Sequence, residues 1–366
     1  MKSKNNSCFG ACFLRPIFFV SLCLALVSLA IHLISANNPA FANVMAGYVT
    51  RPVRAVLAYL TAIFPFSLAE VLLLLSPLWL ALLIWRVRRV ARDRLRAGRF
   101  LSLLLSVPLL VYTVFTFTFS PGYYTTPLAE RISLSDTAPD RDTLSELTRY
   151  LAANAAEEAA LVGITPRKVG SEMPMSYRDM NLSLIDAYER LAERYDFISN
   201  PRVGTKEIAL SEPMAYTHIT GVYTFFTGEM NVCTAFPDFS TVFTAAHEMA
   251  HARGIAREDE ANFIAFLACE ASEDPYIRYA GYMSLLQYVS NALYDTDPVE
   301  YNQVFRTYST AVLADLRAYN DCFRAHSGSV ASDVAESINN AYLSGMGTEG
   351  SISYSLVVRL AVAYFN

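Results

Sequence analysis

The residues most able to do chemistry are His247-Glu248-Met249-Ala250-His251, which fit the pattern H-E-x-x-H. Residues four apart on a helix share a face, so His247 and His251 can turn two imidazole nitrogens toward one zinc ion. Glu248 then lies beside that face, where it can take a proton from a zinc-bound water. The motif therefore predicts a Zn2+ site with its own general base. The alternative is a surface helix that carries two unrelated histidines.

A catalytic zinc site needs a third protein ligand and one open coordination position. No further histidine lies near the motif, so we expect a carboxylate from the acidic run that follows it. On a helix, Glu258 shares a face with small or polar side chains such as Asn262, whereas Glu260 shares a face with bulky ones such as Phe263. Because helices approach closely at a metal site, Glu258 is the predicted ligand and Glu260 the alternative. Asn262 is placed to orient a ligand.

The residues around the motif predict two helices joined by a short turn. Asp238 or Ser240 can begin the first helix, and Gly254 stands where glycine commonly ends one. The acidic residues from Glu258 onward suit the first turn of the second helix, where the helix dipole favours negative charge. Helical patterns cover residues 141–161, 176–195, 240–253, 257–271, 276–294, 299–326, 330–343 and 354–365.

One β-hairpin is predicted just before the motif. Residues 219–226 and 229–235 have strand composition and flank Thr227-Gly228, a candidate turn. In zinc peptidases a strand beside the active helix commonly binds the substrate backbone by strand addition, and residues 229–235 suit that role. An ordinary core hairpin is an equal alternative.

If the predicted zinc site hydrolyses peptide bonds, the reaction also needs a hydrogen-bond donor for the negative charge that develops on the carbonyl oxygen. The candidates are Tyr342, His218, Tyr223 and Tyr354, of which Tyr342 and His218 are preferred. The chain contains 22 tyrosines, so most of them are expected to serve as core or surface residues. His218 could equally end a strand.

The first third of the chain has the composition of a membrane region. The chain is 53% hydrophobic with a mean hydropathy of +0.27. Three apolar stretches, at about residues 14–34, 66–85 and 100–119, approach the length that crosses a bilayer. We therefore expect a membrane domain over residues 1–120 and a soluble domain over residues 121–366.

Charge divides the chain at the same point. Residues 1–119 contain 12 Lys and Arg against two acids, and residues 120–366 contain 17 against 32. Seven arginines lie between residues 86 and 99, in the short segment between the second and third stretches. Positive segments stay in the cytoplasm, which predicts a cytoplasmic N-terminus and an extracytoplasmic C-terminal domain. The arginines lack interleaved aromatic residues and fit lipid headgroups, so no nucleic-acid partner is predicted.

Residues 49–64, between the first two apolar stretches, have the pattern of an amphipathic helix. Arg51 and Arg54 fall on one side of it. A helix of this kind commonly lies in the surface of a bilayer. We therefore expect this segment to rest on the outer surface of the membrane.

The motif and the helix after it resemble the gluzincin class of zinc peptidases. That resemblance implies that Glu258 is the third ligand and that Asn262, four residues on, steadies a histidine. The longer run from His247 to Ala265 resembles a bacterial family of membrane-anchored proteins that carry HExxH within a domain of unknown function. The similarity extends upstream to residues 226–232 and downstream to residues 339–343 and 353–354, so it covers most of residues 100–366.

These features predict a mainly α (α+β) protein with three transmembrane helices and a zincin-like, mostly helical domain that contains a small hairpin or sheet. The expected function is that of a membrane-anchored zinc peptidase with a protein or peptide substrate and the lipid bilayer as partners. His247, His251 and Glu258 would hold the Zn2+, and Glu248 would be the base. The alternative is a zinc-stabilised receptor or scaffold that binds peptides without cutting them. No oligomeric state is indicated.

Overall fold

The computed structural model describes residues 15–90, 94–135, 138–199, 201–345 and 353–366. For residues 94, 95, 339, 342–345 and 353–355 it describes the backbone alone. These residues form a mainly helical protein with one small sheet, which confirms the predicted fold class. The chain divides into two compact units, one formed by Met1–Val53 and Leu68–Thr125 and the other by Arg54–Ser67 and Thr126–Asn366.

The first unit consists of apolar helices and two short connecting turns. Its helices are α1 (Pro16–Asn37), α2 (Pro39–Val44), a π-helical turn (Met45–Thr50), α4 (Leu68–Leu74), α5 (Ser76–Val90), α6 (Arg94–Thr118) and a 3-10 turn (Ser120–Tyr124). Helix α3 (Arg51–Ala62) crosses the boundary between the units. Two buried serines on α1 satisfy their hydroxyls within the helix: Ser21 donates to Ile17 O at 2.8 Å and Ser28 to Leu24 O at 2.9 Å. Small residues of this kind allow membrane helices to pack closely.

Two helices of the described chain are long and apolar enough to cross a membrane. They are Pro16–Asn37, with a mean hydropathy of 2.7, and Arg96–Thr118, with a mean hydropathy of 2.1. Helices α4 and α5 are bent by 47° and make a third span if the pair crosses the membrane together. The protein is therefore suited to membrane association with two or three spans, where the sequence predicted three.

The second unit is built from helices around one large core. Its helices are α7 (Leu128–Arg131), α8 (Arg141–Val162), α9 (Tyr177–Arg194), α10 (Ser211–Ala215), α11 (Asp238–Ala252), α12 (Glu258–Glu270), α13 (Pro275–Thr296), α14 (Pro298–Phe305), α15 (Thr310–Ala325), α16 (Val330–Gly345) and α17 (Ser353–Phe365). Helices α11, α12 and α13 lie at the centre, where Phe239, Phe263 and Tyr279 are fully buried. Each such side chain contributes about 1.5–3 kcal/mol through its removal from water.

The sheet contains three short strands in the order β1-β3-β2. Strand β3 (Glu229–Val232) pairs in parallel with β1 (Lys206–Glu207) and antiparallel with β2 (Gly221–Thr224). The predicted hairpin is therefore confirmed, and Gly228 has the positive φ of +72° that its turn requires. The sequence left residues 229–235 open between a substrate-binding strand and an ordinary core hairpin, and the pairing of β3 with β2 and, at Asn231 and Val232, with β1 favours the core hairpin. Strands β1 and β2 are the outer strands of the described sheet.

Residues 54–67 pack with the second unit, although the sequence assigned them to a membrane domain over residues 1–120. The face of α3 that carries Arg54, Ala58 and Thr61 is buried. Its backbone passes so close to Gly228 that a Cβ there would lie 2.9 Å from Ala58 N. The sequence pattern identified the helix but not the protein surface that its polar side contacts.

Candidate metal centre

Helix α11 carries the HExxH motif in its last two turns. The helix begins at Asp238, whose carboxylate accepts from Met173 N at 2.7 Å, so neither Asp238 nor Ser240 caps the helix as predicted. Gly254 ends the helix as predicted, with a φ of +108°. Gly254 N donates to His251 O at 3.0 Å and Ile255 N to Ala250 O at 3.1 Å, which is the Schellman pattern.

Two histidines and one glutamate converge where α11 meets the start of α12. His247 Nε2 lies 3.2 Å from Glu258 Oε2, and His251 Nε2 lies 3.6 Å from the same oxygen. One ligand atom from each of these residues lies within 4.8 Å of the others. The imidazole rings are 4.6 Å apart and nearly perpendicular. This group of side chains could hold a metal ion.

The second nitrogen of each imidazole has a fixed acceptor. His247 Nδ1 lies 2.9 Å from Asn262 Oδ1, and His251 Nδ1 lies 2.8 Å from Ile255 O. Both acceptors require a proton on Nδ1, which leaves the Nε2 atoms facing Glu258 as the atoms that could bind a metal ion. The turn after α11 therefore contributes a backbone carbonyl, and α12 contributes an amide, to the orientation of the rings.

The four ionisable side chains of the site influence one another strongly. Burial alone would lower the pKa of His251, but the carboxylates of Glu258 and Glu248 raise it to about 9. Burial would raise the pKa of Glu258, yet the two imidazoles hold it far below its usual value. The metal-free site is thus a charged imidazolium–carboxylate cluster, in which the carboxylate needs no deprotonation before it can bind a cation.

Glu248 lies beside this cluster and is 4% exposed. Its Oε2 is buried with no hydrogen-bond partner among the described residues. Burial raises the pKa of Glu248 to about 6, although His247 and His251 lower it and a backbone hydrogen bond from Tyr223 lowers it slightly. A carboxyl group with this pKa can exchange a proton near neutral pH.

Gly221 on β2 allows the sheet to approach Glu248. A Cβ on Gly221 would lie 2.5 Å from Glu248 Oε1 and 2.6 Å from Thr244 Cγ2, closer than real side chains come. The edge strand therefore runs directly against the helix that carries the motif. Gly221 was not predicted as a site residue. A glycine within the predicted hairpin strand just before the motif is the feature that could have indicated this close approach.

The chain matches over residues 47–362 the family described as "Protein of unknown function (DUF3810)". The chain belongs to the DUF3810 family. No curated protein matches it, and neither does any solved structure. The match takes in the motif, the sheet and residues 54–67, so all parts of the candidate site lie within the DUF3810 region.

Within this DUF3810 chain, Glu260 is turned away from the histidines. It accepts a hydrogen bond from Leu128 N at 2.7 Å and pairs with the Arg257 guanidinium. Glu260 is 4% exposed, so these contacts occupy a buried carboxylate that ties α7 to α12. Of the two acids that the sequence left open, Glu258 is the one beside His247 and His251.

Of the four predicted oxyanion donors, the structure describes the side chains of two, His218 and Tyr223. His218 is not part of the metal-ligand group; its ring packs 5.3 Å from the Phe323 ring, and its catalytic role stays a prediction. The side chains of Tyr342 and Tyr354 lie outside those that the structure describes. The ring of Tyr223, by contrast, lies 6.4 Å from the His251 ring.

Arg54 is a second residue near the site that the sequence did not indicate. It is 3% exposed, and a Cβ on Gly254 would lie 2.6 Å from its Nη2. Its charge also acts on Tyr223. Burial raises the pKa of Tyr223 to about 12, even though the positive charge of Arg54 acts in the opposite direction. A basic residue in a helix expected at the bilayer surface gave no sign of this position.

Proposed function

We propose that this chain is a membrane-anchored zinc-dependent peptidase, which hydrolyses peptide bonds of a protein or peptide substrate outside the cytoplasm. The observation that carries the proposal is the convergence of His247, His251 and Glu258 ligand atoms within 4.8 Å, next to the Glu248 carboxylate. Two imidazoles and one carboxylate are a ligand set of catalytic zinc in hydrolases. The Nδ1 partners of both histidines support the assignment, because zinc-binding histidines regularly have such partners.

The residues fit a zinc ion by their chemistry. When bound there, the ion would supply Lewis acidity that polarises a carbonyl and acidifies a water molecule. Glu248 would accept the proton of the attacking water at its unpartnered Oε2 and return it to the leaving amine. Burial raises the pKa of Glu248 above that of an ordinary carboxyl group, which makes its carboxylate a better proton acceptor.

The neighbouring strand supports a peptide as substrate. Strand β2 is an edge of the described sheet, with β3 on its other side. An extended peptide can add to such an edge through main-chain hydrogen bonds. Because Gly221 lies so close to Glu248 that no Cβ would fit between them, a peptide bound along β2 would pass near the proposed base.

Tyr223 is the oxyanion donor that we propose among the described side chains. Its ring lies 6.4 Å from that of His251, on the strand that would bind substrate. Its pKa of about 12 keeps the phenol protonated at neutral pH, so the hydroxyl can donate to a developing negative charge.

The orientation in the membrane follows from charge. Seven arginines between residues 86 and 99 favour the cytoplasmic side for that segment. With α1, the α4–α5 pair and α6 as three spans, the N-terminus is cytoplasmic and the second unit lies outside. Fusion of a periplasm-active reporter after Asn366 tests this side, and reporter activity only in the cytoplasm would contradict it.

The full chain, purified in detergent and loaded with zinc, should cleave an unstructured protein such as casein. Glu248→Gln should bind zinc as the wild type does but lose at least about 100-fold in rate. A fragment of residues 120–366 is a poor substitute, because it lacks residues 54–67 of the second unit. If zinc binds and Glu248→Gln leaves cleavage unchanged, Glu248 is not the base and the peptidase mechanism fails. If zinc binds and the wild type cleaves nothing, the receptor alternative replaces it.

A further inference from the structure

Residues 54–67 form a two-sided segment of the second unit. One side of α3, defined by Arg54, Ala58 and Thr61, is buried against that unit. The other side, which we call the apolar face, consists of Val56, Leu60 and Ile63, which are 57%, 56% and 75% exposed. Both sets recur at intervals of four and three residues, so they follow opposite sides of one helix and the turn after it.

The buried side is fixed by specific contacts. Lys206 Nζ donates to Thr61 O at 2.9 Å and to Phe66 O at 3.0 Å, and it pairs with Glu229 Oε1 at 2.6 Å. The Glu229 side chain is fully buried. Breaking such a buried pair is costly, so the segment is held firmly on β1 and β3.

The same segment reaches the candidate metal centre. Arg54 lies close to Gly254, where an added Cβ would be 2.6 Å from its Nη2; Gly254 follows His251 by three residues and ends the helix of the motif. An α-helix with its side chains is about 10–12 Å across. The apolar face therefore lies across the width of α3 from the turn that orients His251, and its Val56 end is the nearest to that turn.

The apolar face has the chemistry of a lipid contact. Residues 55–67 contain no charged side chain, although the face is open to the surroundings. The apolar helix α4 begins at the next residue, Leu68, and is followed by α5; α1 precedes the segment in the chain. A helix that is apolar on its open side, and that leads directly into a membrane-length helix pair, is suited to the bilayer interface.

We propose that the apolar face rests in the lipid interface and holds the proposed peptidase site against the membrane surface. The substrates would be peptide segments close to the bilayer, such as the juxtamembrane parts of membrane proteins or chains anchored by a lipid. The docking of the face does not depend on activity, whereas the substrate class rests on the proposed function.

The docking is tested with a single tryptophan reporter in the full chain, reconstituted into phosphatidylcholine vesicles. The chain has two tryptophans, Trp79 and Trp85, which are replaced by Phe. Ile63→Trp then reports on the apolar face, and Val169→Trp, at a residue 79% exposed, is the matched control. Dibrominated lipid should quench Ile63→Trp at least about twofold and leave Val169→Trp unchanged. Equal, weak quenching at both positions would overturn the proposal. Blue-shifted Ile63→Trp emission that brominated lipid does not quench would do the same, because it would assign the face to a protein partner.

The substrate class is tested by comparing one peptide in free and lipid-anchored form. Wild-type protein in vesicles should cleave the anchored peptide at least about tenfold faster, and Leu60→Glu with Ile63→Glu should reduce that preference while cleavage of the free peptide persists. Equal rates on both peptides would overturn the substrate class. If neither peptide is cleaved, the proposed function fails, and the quenching experiment still decides whether the face contacts lipid.

Discussion

Asn262 Oδ1 lies 2.9 Å from His247 Nδ1, so the first turns of α12 orient an imidazole on α11. The same helix presents Glu258 to the same histidine four residues earlier. One turn of α12 thus supplies both a proposed ligand, Glu258, and the residue that orients a second proposed ligand, His247. This arrangement makes Asn262 a direct test of whether the cluster is built for a metal.

Replacing Asn262 by Leu should weaken zinc binding about 10- to 100-fold, because the His247 ring loses the acceptor that fixes its proton on Nδ1. Asn262→Asp keeps an acceptor and should retain most of the affinity. Competition against a chromophoric chelator measures the dissociation constants. The control is Asn154→Leu, whose amide donates to Tyr150 O within its own helix. Equal affinities for Asn262→Leu and Asn154→Leu would contradict an orienting role.

Glu258→Gln should reduce zinc binding, whereas Glu260→Gln should reduce stability. Glu258→Gln removes the carboxylate next to both Nε2 atoms and should abolish tight zinc binding. Glu260→Gln keeps an acceptor for Leu128 N and should bind zinc normally, with some loss of stability because Arg257 loses its charged partner. Zinc titration and thermal denaturation separate the two effects. Zinc binding that is lost in Glu260→Gln and kept in Glu258→Gln would reverse the ligand assignment.

Gly221→Ala should destabilise the second unit by about 1–3 kcal/mol and slow hydrolysis. The added methyl group would lie 2.5 Å from Glu248 Oε1, so the strand or the proposed base must move. Thermal denaturation and the rate on casein measure the two effects. Gly47→Ala is the control, because its methyl group would meet nothing within 4 Å. A Gly221→Ala protein with wild-type stability and rate would show that the close approach has no consequence.

Zinc binding should release about one proton per ion at neutral pH. Below pH 9 His251 carries a proton in the metal-free protein, because its pKa is raised to about 9, and the ion must displace that proton. Glu258 is already ionised and contributes none. The affinity should therefore rise with pH and level off near pH 9. Calorimetry in two weakly coordinating buffers of different ionisation enthalpy gives the proton count. An affinity independent of pH between 6 and 9 would contradict the charged state of His251.

The elements that carry the site could be predicted closely from the sequence. The helices expected at residues 240–253 and 257–271 are found at Asp238–Ala252 and Glu258–Glu270. The small face of the second helix pointed to Glu258, because the same periodicity that defines a helix also defines which side chains share its face. Local pattern and spacing were sufficient for this part.

The remainder depends on contacts that a local pattern does not encode. Strand β1 has two residues and no periodicity, so the sequence could not reveal that β3 is central. Amphipathicity identified the helix at residues 49–64 but not that its polar side packs on β1, β3 and the turn after α11. The helix expected over residues 299–326 is interrupted between Phe305 and Thr310, where Ser309 caps the second part and accepts from Val312 N at 3.3 Å.

The most direct test of the central claim is the metal content of the purified full chain, measured by elemental analysis after removal of loosely bound ions. The wild type should hold about one zinc ion per chain, and His247→Ala, which deletes one side of the His247–His251–Glu258 cluster, should hold almost none. A wild-type protein without zinc after incubation with excess metal, or equal zinc contents in the two proteins, would contradict a metal centre at this site.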